Sequence, residues 1–323
     1  MSAKRAELIG LCLLALLALF GAWWLDTNQP QAGAWALIGL SVSLGVLHGA
    51  LDAPLLQRQF TNRRALLQAL ALYLAAVLLL GWLLSGAIAI ALWALIAMSI
   101  WHFGEGYARW DDLPSWSGHL TRAVVGGAPI MLPVWLAPSE LTLLLAPVVE
   151  AAALQVWRVG AVVWSVLLVV WVVACGVSRP AAARHAWFEL IGCAAAYLVF
   201  SPVMAFALYF GVYHAPVHIW RVWRAWSAGG AADRTVIPPS PSPVEVVAAL
   251  AATLIATWLL GAALWWLLSA NGLVMPDTSS ALRWLIVGLA AVTAPHLVLI
   301  SFCSDFLSRK GGDEAAKRQR ESA

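Results

Sequence analysis

The chain has 323 residues, 62% of them hydrophobic and only 11% charged, with a formal net charge of +3. A soluble domain carries about 25% charged residues, and a disordered chain needs low hydrophobicity with high charge, so both classes are excluded. Twenty tryptophans, a residue suited to the headgroup boundary of a bilayer, complete the profile of a polytopic membrane protein.

Apolar stretches of about 18 residues or more read as spanning helices. They predict an all-α integral membrane bundle of about ten transmembrane helices: 8–25, 32–56, 65–84, 86–104, 119–137, 155–177, 186–201, 203–223, 244–268 and 282–303. The first follows Lys4 and Arg5 in the manner of a signal peptide, but no small-x-small cleavage site follows it, so it is read as a retained helix. Residues 139–154 are apolar yet carry Pro147 and Glu150, which predicts an interfacial or re-entrant piece. Segment 227–243 is a Gly, Ser and Pro linker, and 309–323 is a charged tail expected to be disordered. Residues 1–308 are expected to form a single transmembrane domain. With the N-terminus inside, alternation places every Lys and Arg on the cytoplasmic side except Arg158 and Arg283, so the positive-inside rule sets both termini in the cytoplasm. No basic tract suggests nucleic acid. Cys12, Cys175, Cys193 and Cys303 are scattered through apolar stretches and are expected as reduced thiols.

Ionisable groups inside a bilayer cost free energy and mark functional sites by default. Five of the seven histidines fall within expected spans: His48, His102, His214, His218 and His296. All lie in the cytoplasmic part of helices that run from outside to inside; His48 sits about 12 Å before the end of its span at the helical rise. Spacing therefore lets them share one layer near the inner leaflet. His214 and His218 in YHAPVHIW stand four apart on one face, as two ligands of one metal would, while Pro216 should kink or loosen their turn. Asp52 follows His48 by four and is read as the one acidic residue well inside a span, able to accept the ring N–H of a ligand histidine. Glu105 follows His102 by three at the helix end, and His296 in TAPHL is read as a supporting or substrate-pocket group. His119 and His185 stand at boundaries without partners. Neutral imidazoles suit Zn, Cu, Fe and Ni, and iron with open positions would allow oxygen chemistry on a hydrophobic substrate. Trp101, Phe103, Tyr209, Phe210, Tyr213 and Trp220 would suit a conjugated hydrocarbon.

The patches HGALDA (48–53), WHFGE (101–105), YFGVYHAPVH (209–218) and PHL (295–297), in this order, resemble the Brp/Blh family of bacterial membrane carotenoid dioxygenases. Leu47 stands where that pattern leads one to expect proline, and Ala215, Pro216 and Val217 replace a more polar filling. The resemblance implies cleavage of β-carotene at its central double bond, with O2 and Fe(II), to two molecules of all-trans retinal. It places the iron-binding histidines on His48, His102, His214 and His218, with Asp52, His296 and Glu105 as supporting groups. It further implies a multi-pass protein of the bacterial inner membrane, a carotenoid dissolved in the bilayer as substrate, and a retinal-dependent rhodopsin as user of the product. The chain is not itself expected to be that rhodopsin, because its only lysines, Lys4, Lys310 and Lys317, lie outside the spans. Other readings of the same histidines are a haem-binding redox protein and a non-catalytic carotenoid or ion transporter. A di-iron desaturase would need more histidines than the chain has.

Overall fold

A computed structural model describes residues 62–105, 115–178, 183–220 and 282–301, with single positions scattered over 20–60 and 248–280. The described residues are helical, and no strand occurs among them. In chain order the helices are α1 (Arg63–Ser85), α2 (Ile88–Phe103), α3 (Ser115–Leu136), α4 (Pro138–Leu145), α5 (Ala151–Ser178), α6 (Ala183–Val199), α7 (Pro202–Trp220) and α8 (Leu282–Ser301). Each begins or ends within a few residues of an expected span. The expected spans 8–25, 32–56 and 244–268, the linker and the tail lie wholly or largely outside the described residues.

Four described helices are long and apolar enough to cross a bilayer: α1, α5, α7 and α8. The α3–α4 pair is a fifth, broken span, bent by 99° where Pro138 starts α4. The segment 139–154 thus divides in two, because α5 already begins at Ala151 and takes its last residues. Helices α2 and α6 have 16 and 17 residues. At about 1.5 Å per residue they are some 24–26 Å long, short of the roughly 30 Å hydrocarbon core. The helices found over these two expected spans are thus shorter than α1, α5, α7 and α8, and α2 carries His102 in its last turn. Much of the outward surface is apolar: Leu72, Leu78 and Trp82 of α1, and Val159, Val163, Val166, Val170 and Val173 of α5, are exposed as lipid-facing side chains should be.

Helix α3 is the hub, packed against α2, α5 and α6. Its sequence GGAPIMLP explains both its close contacts and its irregularity. A Cβ on Gly126 would collide with the Ile100 carbonyl of α2 and stand 2.6 Å from the Gly104 nitrogen, and one on Gly104 would collide with the Arg122 carbonyl. Backbones approach this closely only where side chains are missing. Gly126→Ala should therefore cost about 1–3 kcal/mol of stability, read as a lowered unfolding temperature in detergent. Across the other face, Trp157, Trp164 and Trp171 recur every seven residues along α5. Their indole N–H groups donate to Ile130 O (3.2 Å), Val124 O (3.0 Å) and Thr121 Oγ1 (2.8 Å) of α3. Pro133 has no N–H to offer the carbonyl four residues back, that of Pro129, and the Tyr197 hydroxyl of α6 donates to it at 2.6 Å. Every buried backbone group must be satisfied within lipid, so the Tyr197 hydroxyl repairs what Pro133 removes.

Arg122, expected at the inner boundary, is instead a buried residue of α3. Its Nε donates to the Trp101 carbonyl at 2.9 Å and its guanidinium lies 3.4 Å over the Trp101 ring, which caps the end of α2 next to His102. At the opposite face Arg283 of α8 donates to the last carbonyl of α1, Ser85 O, at 2.8 Å, so the end of α1 and the start of α8 lie side by side. Cys175 and Cys193 are free thiols.

Candidate metal centre

The short α2 ends at Phe103 with His102 in its last turn, buried to 4% exposure. Helix α7 reaches the same place by a different route. Its middle, Leu208–His214, is a π-helix, closed by a bond from the Ala215 N–H to the Phe210 carbonyl five residues back. Such wide turns are rare and collect at functional sites. Pro216 follows directly and offers no N–H to the preceding turn, so the loosening expected there takes the form of a wider turn rather than a kink. Helix α8 contributes His296, one residue after Pro295 and 3% exposed.

Four imidazoles meet at this point. The ring of His102 lies 5.1 Å from that of His214, 4.9 Å from His218 and 5.1 Å from His296, centroid to centroid; His218 is 5.5 Å from His296 and 6.0 Å from His214. His102, His218 and His296 each offer one ring nitrogen, and these three atoms lie within 4.8 Å of one another. His102 Nδ1, His214 Nε2, His218 Nε2 and His296 Nε2 are all shielded from solvent.

Asp52 is buried beside the cluster, with partners on α8 and α1. His296 Nδ1 lies 2.9 and 3.0 Å from the two carboxylate oxygens, and the Tyr73 hydroxyl of α1 donates to Oδ2 at 2.6 Å. An ionised carboxylate only accepts, so Nδ1 carries the ring proton and Nε2 carries the lone pair that a cation would use. Glu105 Oε2 stands 3.7 Å from His102 Nδ1. Tyr73 belongs to the centre although nothing in its own sequence neighbourhood marks it.

The structure thus brings together His102, His214, His218, His296, Asp52 and Glu105. His48 lies outside the described residues; Gly49 beside it lines a cavity of about 50 Å³ that touches His102 and His296. The rest of the cavity wall includes Leu95, Phe103, Phe206, Phe210, Leu289 and Val292. Of the aromatics named from the sequence, Phe103 and Phe210 line this cavity, and Phe206, stacked on Phe210 at 5.8 Å, joins them. Trp101 and Trp220 are instead half-exposed or more on the outside, and Tyr209 and Tyr213 turn toward Glu189. His119 is exposed, away from the cluster, and His185 is exposed near the start of α6.

The donor set fits a divalent transition-metal ion. Imidazole is the ligand that Zn, Cu, Fe and Ni share, and a carboxylate behind a histidine is the usual support for such a ligand. Metal–imidazole bonds of about 2.1 Å put ligating nitrogens roughly 3–4 Å apart, a small ring rotation from the spacing present.

A buried cluster of histidines within an all-helical bundle of membrane-length apolar helices defines the class of site, and comparison with known proteins gives the family. The family model described as "Beta-carotene 15,15'-dioxygenase" matches residues 39–304. A "Beta-carotene 15,15'-dioxygenase" from uncultured marine bacterium 66A03 is 25% identical over 290 residues, covering 83% of this chain and 93% of that one. No solved structure matches. The chain belongs to the β-carotene 15,15'-dioxygenase family.

Proposed function

We propose that this chain is an iron-dependent membrane oxygenase that cleaves β-carotene at its central double bond with O2, giving two molecules of all-trans retinal. The observation that carries this reading is the meeting of His102, His218 and His296 within 4.8 Å, next to an apolar cavity, in a chain of this family. The ion is Fe(II), held by His102, His218 and His296, with His214 and His48 as the further ligands that the family resemblance assigns. When bound, the iron supplies activation of O2 beside the substrate. The chain's own contribution is physical. Asp52 and Tyr73 hold the His296 ring in one tautomer and one orientation. Phe103, Phe206 and Phe210 offer flat apolar faces to a polyene, and the walls keep bulk water away.

A carotene is dissolved in the bilayer, so it arrives sideways between helices. The 50 Å³ cavity is far smaller than such a molecule, and the helices around it have to part to admit the polyene. The same crowding disfavours haem, since rings at 4.9–5.5 Å leave no slot for a macrocycle between them. In this reading residues 1–308 form one domain of about ten helices in the bacterial inner membrane, both termini are cytoplasmic, and a retinal-dependent rhodopsin uses the product. The test is co-expression with β-carotene synthesis. Cells carrying the wild-type chain should turn from orange toward pale and accumulate retinal, as should cells carrying His119→Ala. Unchanged carotene alongside folded, iron-loaded protein would refute the proposal.

A further inference from the structure

Glu189 of α6 is a buried carboxylate, 8% exposed, seven residues into its helix and outside the histidine cluster. Its two oxygens are divided between two side chains of the same neighbouring segment. Tyr209 OH donates to Oε1 at 2.9 Å and Tyr213 OH donates to Oε2 at 3.0 Å. Both tyrosines belong to the π-helix Leu208–His214.

That segment decides where His214 points. In an α-helix, residues five apart are separated by about 140° around the axis. In a π-helix, residues i and i+5 take the place that i and i+4 have in an α-helix, one above the other. Tyr209 and His214 are five apart, and their rings are stacked 6.2 Å apart at an interplanar angle of 23°. Tyr209 also meets Phe103 edge-on at 5.4 Å, and Phe103 meets His214 at 4.5 Å. A chain of direct contacts therefore runs from the Glu189 carboxylate through Tyr209 to His214, whose ring lies against that of His102.

We propose that Glu189 is a positioning residue for the histidine cluster: by gripping Tyr209 and Tyr213 together it holds the π-turn that delivers His214 to His102 and His218. This deepens the metal-centre reading and, in its metal-binding arm, rests on it. Were the α-helical register restored, His214 would rotate away from Tyr209 and out of the cluster. The carboxylate touches none of the reacting groups and acts only through the tyrosines.

The test uses the full chain in lipid nanodiscs, titrated with Co(II) as the probe, whose visible ligand-field bands report coordination geometry. Glu189→Gln keeps an oxygen for one tyrosine and an N–H for the other, so its bands and affinity should stay close to wild type. Glu189→Leu removes both bridges; its bands should shift and Co(II) affinity fall about 10-fold or more, the scale set by outer partners of metal ligands. Unshifted bands at unchanged affinity in a folded Glu189→Leu protein overturn the proposal. Should Glu189→Leu fail to fold, Tyr209→Phe decides, because Tyr213 still holds the carboxylate: shifted bands support the proposal and wild-type bands overturn it. Histidine-labelled NMR of the metal-free protein separates this inference from the metal reading. If the wild-type chain binds no Co(II), the metal reading fails, and displacement of the His214 signal by Tyr209→Phe still supports positioning while an unmoved signal overturns it.

Discussion

His296→Ala is expected to strip the metal and reduce carotene cleavage to background. The expectation rests on geometry that runs against the order of importance suggested by local sequence, where His296 reads as a supporting group. Its Nδ1 is committed to Asp52 at 2.9–3.0 Å, its Nε2 is buried, and one of its ring nitrogens lies within 4.8 Å of those offered by His102 and His218. A ring held in one tautomer by a carboxylate, with the remaining lone pair beside two other imidazoles, is arranged as a ligand. Loss of a ligand should cost more than the roughly 10–100-fold lost with an outer partner, so iron should not survive purification. The measurement is metal content of the purified variant alongside His218→Ala and His214→Ala. Wild-type iron content in His296→Ala would return His296 to the pocket wall and leave the ion to the other histidines.

The second large effect is expected at Asp52. Asp52→Asn preserves size and one acceptor oxygen but removes the charge that faces His296 and accepts from Tyr73. Iron affinity should fall about 10–100-fold, with cleavage restored in part by excess Fe(II). Tyr73→Phe should weaken binding less, because the carboxylate and its contact with His296 remain. The order Asp52→Asn worse than Tyr73→Phe is the check; equal effects would mean that the hydroxyl, not the charge, fixes the imidazole.

Much of the scaffold was legible in the sequence because membrane helices announce themselves by length. The stretches 65–84, 155–177, 203–223 and 282–303 coincide with α1, α5, α7 and α8 to within a few residues. Counting along the helices puts His48, His102, His214, His218 and His296 at similar depth, and the rings of the four that are described meet. Pairing across helices was not legible. The contact of Asp52 with His296 joins residues 244 apart in the chain, and no local spacing encodes that.

Two further features escaped for distinct physical reasons. A π-turn adds one residue to a helix whose apolar pattern is otherwise continuous, so Pro216 signalled a loosened turn in 203–223 but not its form. Glu189 sits three residues inside the expected boundary at 186, beside Arg184 and His185, where a carboxylate reads as a solvated helix end. Because α6 actually begins at Ala183 and packs on α3 and α7, that side chain is carried into the interior. Asp52 is therefore not the one acid inside the bundle: Glu189 is a second buried carboxylate among the described residues.

The tryptophans that tie α5 to α3 bear on how a long hydrocarbon gets in. Shear of these two helices by a single residue would break three indole bonds at once, and lipid has nothing to put in their place. With Tyr197 bracing the same helix from α6, this wall of the molecule is a fixed abutment. On the far side, Leu95, Phe206, Leu289 and Val292 of α2, α7 and α8 meet around the cavity through apolar side chains, which can trade one neighbour for another, or for an acyl chain, at little cost. In the proposed reaction the polyene would therefore enter between the apolar sides of α7 and α8, and a cross-link between those two helices, but not one between α3 and α5, should block turnover.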